Sequence, residues 1–254
     1  MNPPVIFLVR DQGMELILPS FYILRSMNQP LLDAVEINPG RTPTACIIWL
    51  HGLGADGHDF ESLIPQLGVV DELGVRVVLP HAPSMPVTIN GGTVMPAWYD
   101  IAETDFKQKQ DRAGIHASAA RLEALIAREV ANGIAPERIV LAGFSQGGAI
   151  VLHTGLRHAR RLGGILALST YLPLADTLAD EASTLNRDIP IMQAHGQVDP
   201  VVPIALALQS RDALQQQGYA VDWHSYPMQH AVCPEEVADI RKWLMAILRS
   251  DPLT

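Results

Sequence analysis

From residue 34 onward the apolar positions follow two rhythms. Ala45 to Leu50, Val75 to Leu79, Arg138 to Ala142, Gly163 to Leu168 and Ile189 to Ala194 are short, nearly continuous apolar runs, the signature of strands buried on both faces. Between them, apolar residues recur three or four apart. Ile115, Ala119, Leu122, Ile126 and Val130 predict one helix, and Asn132-Gly133 with Pro136 just beyond predicts its end. Ala149-Ile150-Val151-Leu152 opens a second helix, and Pro203 to Gln217 and Pro234 to Arg249 read as two more, with a strand at Ala220 to Tyr226 between them. Strands that alternate with helices bury both faces of a sheet, so the pattern predicts an α/β fold: a mostly parallel central sheet flanked by helices, in three layers.

Two long stretches break the rhythm, residues 81 to 112 and 170 to 188. Long loops in a compact domain tend to be functional, and both follow strands, which puts them at the carboxyl edge of the sheet where open α/β sheets hold their ligands. They are the expected walls of a substrate pocket. Residues 1–33 also stand apart. Ile6-Phe7-Leu8-Val9 and Leu16-Ile17-Leu18 are interrupted by Arg10, Asp11, Glu15 and Pro19, and neither cluster approaches the ~20 apolar residues of a spanning helix. No integral membrane insertion is expected, nor is a secretory signal recognisable. The stretch reads as an N-terminal extension to a single domain at 34–254. Met27 is an alternative start that would make residues 1 to 26 an artefact, and a surface or lipid-contacting arm is the other reading.

Composition narrows the function class. Of the 254 residues 48% are hydrophobic and 18% charged, ordinary for a soluble enzyme with a sizeable core, and the net charge of -9 supplies no basic face for nucleic acid. The two cysteines, Cys46 and Cys233, lack metal-type spacing and cannot build a disulfide framework, which points to small buried thiols in a reducing cytoplasm.

The chemistry is concentrated where one apolar run turns into a helix. Gly143-Phe144-Ser145-Gln146-Gly147 is a G-x-S-x-G between a predicted strand and a predicted helix, which makes Ser145 the candidate nucleophile on a tight turn whose glycines admit close backbone approach. A serine hydroxyl needs a neutral imidazole to take its proton and a carboxylate to orient that imidazole, in the chain order Ser, Asp, His. Asp199 lies in a loop just past the run Ile189 to Ala194; Asp176, Asp180 and Asp188 fall in a polar connection and Asp222 within a strand. His230 alone among the histidines follows Asp199 in a loop between strand and helix. His224 reads as a strand-face residue, and His153 and His158 as helix residues. For the oxyanion, the Gln146 amide follows the nucleophile, and His51-Gly52-Leu53-Gly54 after the strand Ala45 to Leu50 offers Leu53 as second donor. That loop lacks the Lys-Ser/Thr of a phosphate cradle and does not fit G-x-G-x-x-G. Trp98, Phe144 and Met228 are candidate acyl-pocket residues, with a core role open for Phe144 and Met228.

These residues resemble the carboxylesterase and acyl-protein thioesterase (phospholipase/carboxylesterase) family of the α/β-hydrolase superfamily, over roughly residues 34 to 249. The motifs that carry the likeness occur in order: His51 to Gly57, Pro80-His81-Ala82-Pro83, Trp98-Tyr99-Asp100, Gly143 to Gly148, His195-Gly196 to Pro203, and Met228-Gln229-His230 running into Cys233-Pro234-Glu235-Glu236. The resemblance implies the α/β-hydrolase fold, a Ser145-Asp199-His230 triad, Leu53 and Gln146 as oxyanion donors, no metal or organic cofactor, and small-molecule ester or acyl-thioester substrates. It further implies a cytoplasmic enzyme, often a homodimer. A carboxylesterase is the first expectation, with an acyl-protein thioesterase or lysophospholipase as the alternative. From a different class, a non-catalytic binding protein on the same fold would be expected to lack a triad member, and all three are present.

Overall fold

The computed structural model describes residues 31–103 and 110–249. The extension expected over residues 1–33 therefore lies, up to residue 30, outside the described residues, as does part of the long segment 81–112. In chain order the elements are β1 (Ala34–Ile37), β2 (Ala45–Leu50), α1 (Ile64–Leu67), α2 (Val69–Leu73), β3 (Val75–Pro80), β4 (Ser84–Val87), β5 (Thr93–Pro96), α3 (Arg112–Ala131), β6 (Ile139–Phe144), α4 (Gln146–Arg157), β7 (Gly164–Leu168), α5 (Leu178–Glu181), β8 (Ile191–Gly196), α6 (Ile204–Gln216), β9 (Val221–Tyr226) and α7 (Pro234–Arg249). The main sheet has the order β1-β3-β2-β6-β7-β8-β9. All neighbours pair in parallel except β1, which runs antiparallel to β3.

Strand residues alternate between two cores, as the period-2 pleat requires. Cys46, Ile48 and Leu50 of β2, Ile139 and Leu141 of β6, and Ile165 and Ala167 of β7 face one core, which α3 and α4 close with Leu122, Leu125, Ile150 and Leu152. Ala45, Ile47 and Trp49, Val140 and Ala142, and Leu166 and Leu168 face the other, closed by Ile64 and Leu67 of α1 and by Ile240, Leu244 and Leu248 of α7. Three layers result, because both faces of the sheet are apolar and each needs a cover. The start of α3 is fixed by Asp111, whose carboxylate accepts the Gly114 amide at 2.9 Å, and past its end Gly133 adopts φ 95°.

Two elements differ from the sequence expectation. The four-residue edge strand β1 was not anticipated; it is tied down by a closed ring of ion pairs in which Glu36 meets Arg76 and Arg128 at 2.8 Å each, and Glu129 meets Arg128 at 2.7 Å and Arg76 at 3.3 Å. Glu129 is fully buried, so this ring offsets a large desolvation cost while fixing β1 and β3 to α3. The segment 81–112 also contains more order than a loop: β4 and β5 form an antiparallel hairpin. Its Pro96 carbonyl accepts the Gly54 amide at 2.8 Å. Consecutive strands β2 and β3 sit side by side, but the chain then crosses to β6 on the opposite side of β2. The carboxyl ends of β2 and β6 therefore flank a topological switch point, the crevice where open α/β sheets bind ligands.

Candidate active site

Ser145 occupies the single residue between β6 and α4, with φ 54° and ψ −120°. A side-chain-bearing residue in this region costs roughly 1–3 kcal/mol and persists only when its surroundings hold it. They do so here from the strand next door: Ser145 N donates to Leu168 O at 2.8 Å, and Thr170 Oγ1 donates to Ser145 O at 2.7 Å. The glycines of the motif are explained by close approach. A Cβ on Gly147 would lie 2.4 Å from Leu50 O and 2.5 Å from His51 O, and one on Gly143 would lie 2.5 Å from the Gly147 backbone. The first turn of α4 is thus pressed directly against the end of β2.

The acid and base arrive from the other end of the sheet. Beyond β8 the chain folds so that Asp199 Oδ1 accepts the amides of Val201 and Val202 at 2.8 and 2.9 Å. Asp199 Oδ2 lies 2.6 Å from His230 Nδ1. The carboxylate side chain is fully buried, whereas the imidazole keeps 15% exposure, so the pair presents only its histidine to the outside. The loop carrying His230 crosses directly over the end of β8: a Cβ on Gly196 would stand 2.2 Å from Gln229 O and 2.5 Å from Met228 O. The His230 ring packs 4.7 Å from that of Phe144, the residue before the nucleophile. The structure therefore brings Ser145, Asp199 and His230 to one edge of the sheet. Among the described residues Ser145 Oγ carries no hydrogen bond, and contacts of this kind tighten when substrate binds. Several competing acids and histidines are engaged elsewhere. Asp176 and Asp188 pair with Arg112 and Arg161. His224 meets Asp222 at 3.0 Å, and His158 meets Glu123 at 2.8 Å. His153 is buried in α4 with its pKa pushed down to about 3 by desolvation.

The loop after β2 lies against the nucleophile, since a Cβ on Gly52 would fall 3.5 Å from Ser145 Cβ. Among the described residues neither the Leu53 amide nor the Gln146 amide has a hydrogen-bond partner. The Gln146 amide opens α4, where unpaired N–H groups and the helix dipole favour negative charge. The Gln146 side chain has a separate task that the sequence reading did not assign: its Oε1 accepts Trp98 N at 2.7 Å and its Nε2 donates to Tyr99 O at 2.6 Å. Trp98, expected in the acyl pocket, is 2% exposed and donates from Nε1 to His51 O at 2.9 Å. Phe144 is half-buried, 5.6 Å from the Phe60 ring, and Met228 packs on the same core as α7.

Two further histidines were legible only as parts of motifs. His51, at the end of β2, is buried, with Nδ1 2.7 Å from Gly52 O and Nε2 accepting Ala82 N at 3.0 Å. His195, at the end of β8, is buried 2.8 Å from Val202 O and 3.5 Å from Asp199 Oδ2. Burial lowers the pKa of both, so each stays neutral. A histidine directly closing an apolar strand and followed by glycine is the signal they share. Among the described residues no group of three or more His, Cys, Asp or Glu is arranged to hold a metal ion, and no helix is long and apolar enough to cross a membrane.

Comparison with known proteins gives the family and the fold. The family model described as phospholipase/carboxylesterase matches residues 33–248. Acyl-protein thioesterase 1 of Neurospora crassa is 43% identical over 210 residues, covering 79% of this chain and 86% of the relative. Among solved structures, Zea mays acyl-protein thioesterase 2 superposes with a TM-score of 0.75 at 33% identity, over 85% of this chain and 99% of that one. Arabidopsis thaliana SOBER1 superposes with a TM-score of 0.76 at 28% identity, over 81% and 99%.

Proposed function

We propose, from the premise that the chain belongs to the phospholipase/carboxylesterase family of α/β-hydrolases, that its hydrolysis of carboxylic esters and thioesters runs through an acyl-enzyme on Ser145. The enzyme class is a serine hydrolase. Between the two substrate readings, the relatives favour the acyl-protein thioesterase over the carboxylesterase first expected, and we adopt an acyl-protein thioester as the substrate class.

The observation that carries the mechanism is the 2.6 Å contact between Asp199 and His230 beside a serine held at φ 54°. Asp199 accepts a hydrogen bond from the His230 Nδ1–H and so leaves the Nε2 lone pair free. His230 Nε2 then takes the Ser145 proton as Oγ attacks the acyl carbonyl. The tetrahedral oxyanion is held by the Leu53 and Gln146 amides, whose loss individually costs about 100- to 1000-fold in rate. Collapse breaks the C–S or C–O bond, and His230 returns the proton to the leaving thiol or alcohol. Water, deprotonated in turn by His230, attacks the acyl-serine and releases the acid. The segments 81–112 and 170–188 and the half-buried Phe144 and Met228 are the proposed surroundings of the acyl chain. A cytoplasmic setting rests on the two unpaired cysteines, and a homodimer on the family resemblance alone.

The test is a paired series of S-acyl and O-acyl substrates of equal chain length, from acetyl to palmitoyl, on wild type and Ser145→Ala. Turnover that prefers the thioester and is lost in Ser145→Ala is the expected result, and the chain-length optimum reads the reach of the acyl pocket. A preference for short esters restores the carboxylesterase, and no turnover by folded wild type favours a binding protein.

A further inference from the structure

The loop after β2 is held at several points, and the shortest contact on its Gly52 carbonyl comes from a histidine. The Ala82 amide can only donate and the Gly52 carbonyl can only accept, so the contacts of His51 fix its tautomer: Nε2 is the acceptor and Nδ1 carries the proton given to Gly52 O at 2.7 Å. A planar trans peptide points its C=O and its following N–H in opposite directions. Holding Gly52 O against His51 therefore turns the Leu53 N–H away from the imidazole. The preceding peptide is fixed too, because His51 O accepts the Trp98 indole at 2.9 Å. Two successive carbonyls are thus held, while the Leu53 amide carries no hydrogen bond among the described residues and Gly52 abuts Ser145. Gly52 brings no side chain to stiffen the turn, and within the loop its carbonyl also accepts the Ala55 amide at a longer 3.3 Å, so the shorter His51 contact is the stronger hold on its peptide.

We infer that His51 is a positioning residue of the oxyanion hole: its Nδ1–H holds the Gly52–Leu53 peptide in the one orientation that presents the Leu53 amide to the developing oxyanion. The inference rests on the acyl-enzyme reading above. His51 touches no reacting atom. It removes the reorganisation that a freely turning peptide would undergo at the moment negative charge forms, which is where preorganised donors act. A small loss of packing behind the loop would lower thermal stability without that selectivity; loss of peptide orientation falls on the transition state.

Full-length wild type, His51→Ala, His51→Asn and His51→Gln are compared for kcat and KM on the best acyl ester, for inhibition by an alkyl trifluoromethyl ketone, and for melting temperature. The ketone forms a tetrahedral oxyanion adduct with the serine and so reports the hole directly. His51→Ala is expected to lower kcat by about 100-fold or more with KM changed less than about threefold, and to weaken ketone inhibition by a similar factor. Asparagine places an amide N–H near the position of Nδ1–H, whereas glutamine reaches towards Ala82. His51→Asn is therefore expected to recover more kcat than His51→Gln, a comparison that stands even where His51→Ala does not fold. A folded His51→Ala with kcat and ketone inhibition within threefold of wild type overturns the inference, as does His51→Gln matching or exceeding His51→Asn. In either case an active wild type leaves the hydrolase reading intact; a wild type that neither turns over esters nor binds the ketone overturns both.

Discussion

His230 Nδ1 stands 2.6 Å from Asp199 Oδ2, while Asp199 Oδ1 is occupied by the amides of Val201 and Val202. The carboxylate is thus divided: one oxygen shapes its own loop and the other selects the histidine tautomer. In Asp199→Asn the amide oxygen still suits the two backbone donors, which leaves the NH2 group facing Nδ1. The imidazole must then carry its proton on Nε2, where it cannot accept one from serine. The expected result is a kcat lowered by about 10⁴-fold with the fold retained, checked by steady-state kinetics on an activated ester alongside circular dichroism.

Gly196 is the position where the base loop rests on the sheet. Because an alanine Cβ there would lie 2.2 Å from Gln229 O, Gly196→Ala must move the backbone next to His230. The variant is expected to lose at least 100-fold in kcat, since displacements on the order of 1 Å can cost that much. His224→Ala, which touches the neighbouring strand but not that loop, is the control that retains activity in the same assay.

The parallel strands, the main helices and the placement of Ser145, Asp199 and His230 past strand ends were legible because each rests on local pattern: continuous apolar runs, three-to-four spacing, a G-x-S-x-G at a strand end and residues placed just past strands. The strand β1 was not, since three half-buried residues and the exposed Glu36 show little alternation, and the strand depends on the distant partners Arg76 and Arg128. Nor was the work of the Gln146 side chain, because its contacts with Trp98 and Tyr99 span more than forty-five residues of chain. Trp98 illustrates the same limit. It was expected in the acyl pocket as an apolar residue beside the site, and the hydrogen bond from its indole N–H to His51 O in the loop after β2 is a contact that only the tertiary fold reveals.

Glu236, in the first turn of α7, is completely buried, and neither carboxylate oxygen has a well-formed hydrogen bond among the described residues. Desolvation pushes its pKa up to about 8, with the Cys233 backbone pulling weakly the other way. A folded-state pKa above the unfolded value means stability that is complete below about pH 4.5 and is lost as pH rises through about 8. Glu236→Gln keeps the neutral form at every pH. Its melting temperature is expected to match wild type near pH 4.5 and to exceed it progressively up to pH 9, measured by calorimetry; a gap that stays constant with pH contradicts the titration.

A covalent acyl-enzyme on Ser145 leaves its mass on one peptide, which peptide mass spectrometry reads. Wild type is mixed with a slowly hydrolysed palmitoyl ester, quenched in acid within one turnover, and digested. The account predicts a palmitoyl mass increment confined to the peptide containing Ser145, slow to decay when His230 is replaced by alanine and absent in Ser145→Ala. Turnover without any such adduct under burst conditions, or an adduct that persists in Ser145→Ala, would contradict it.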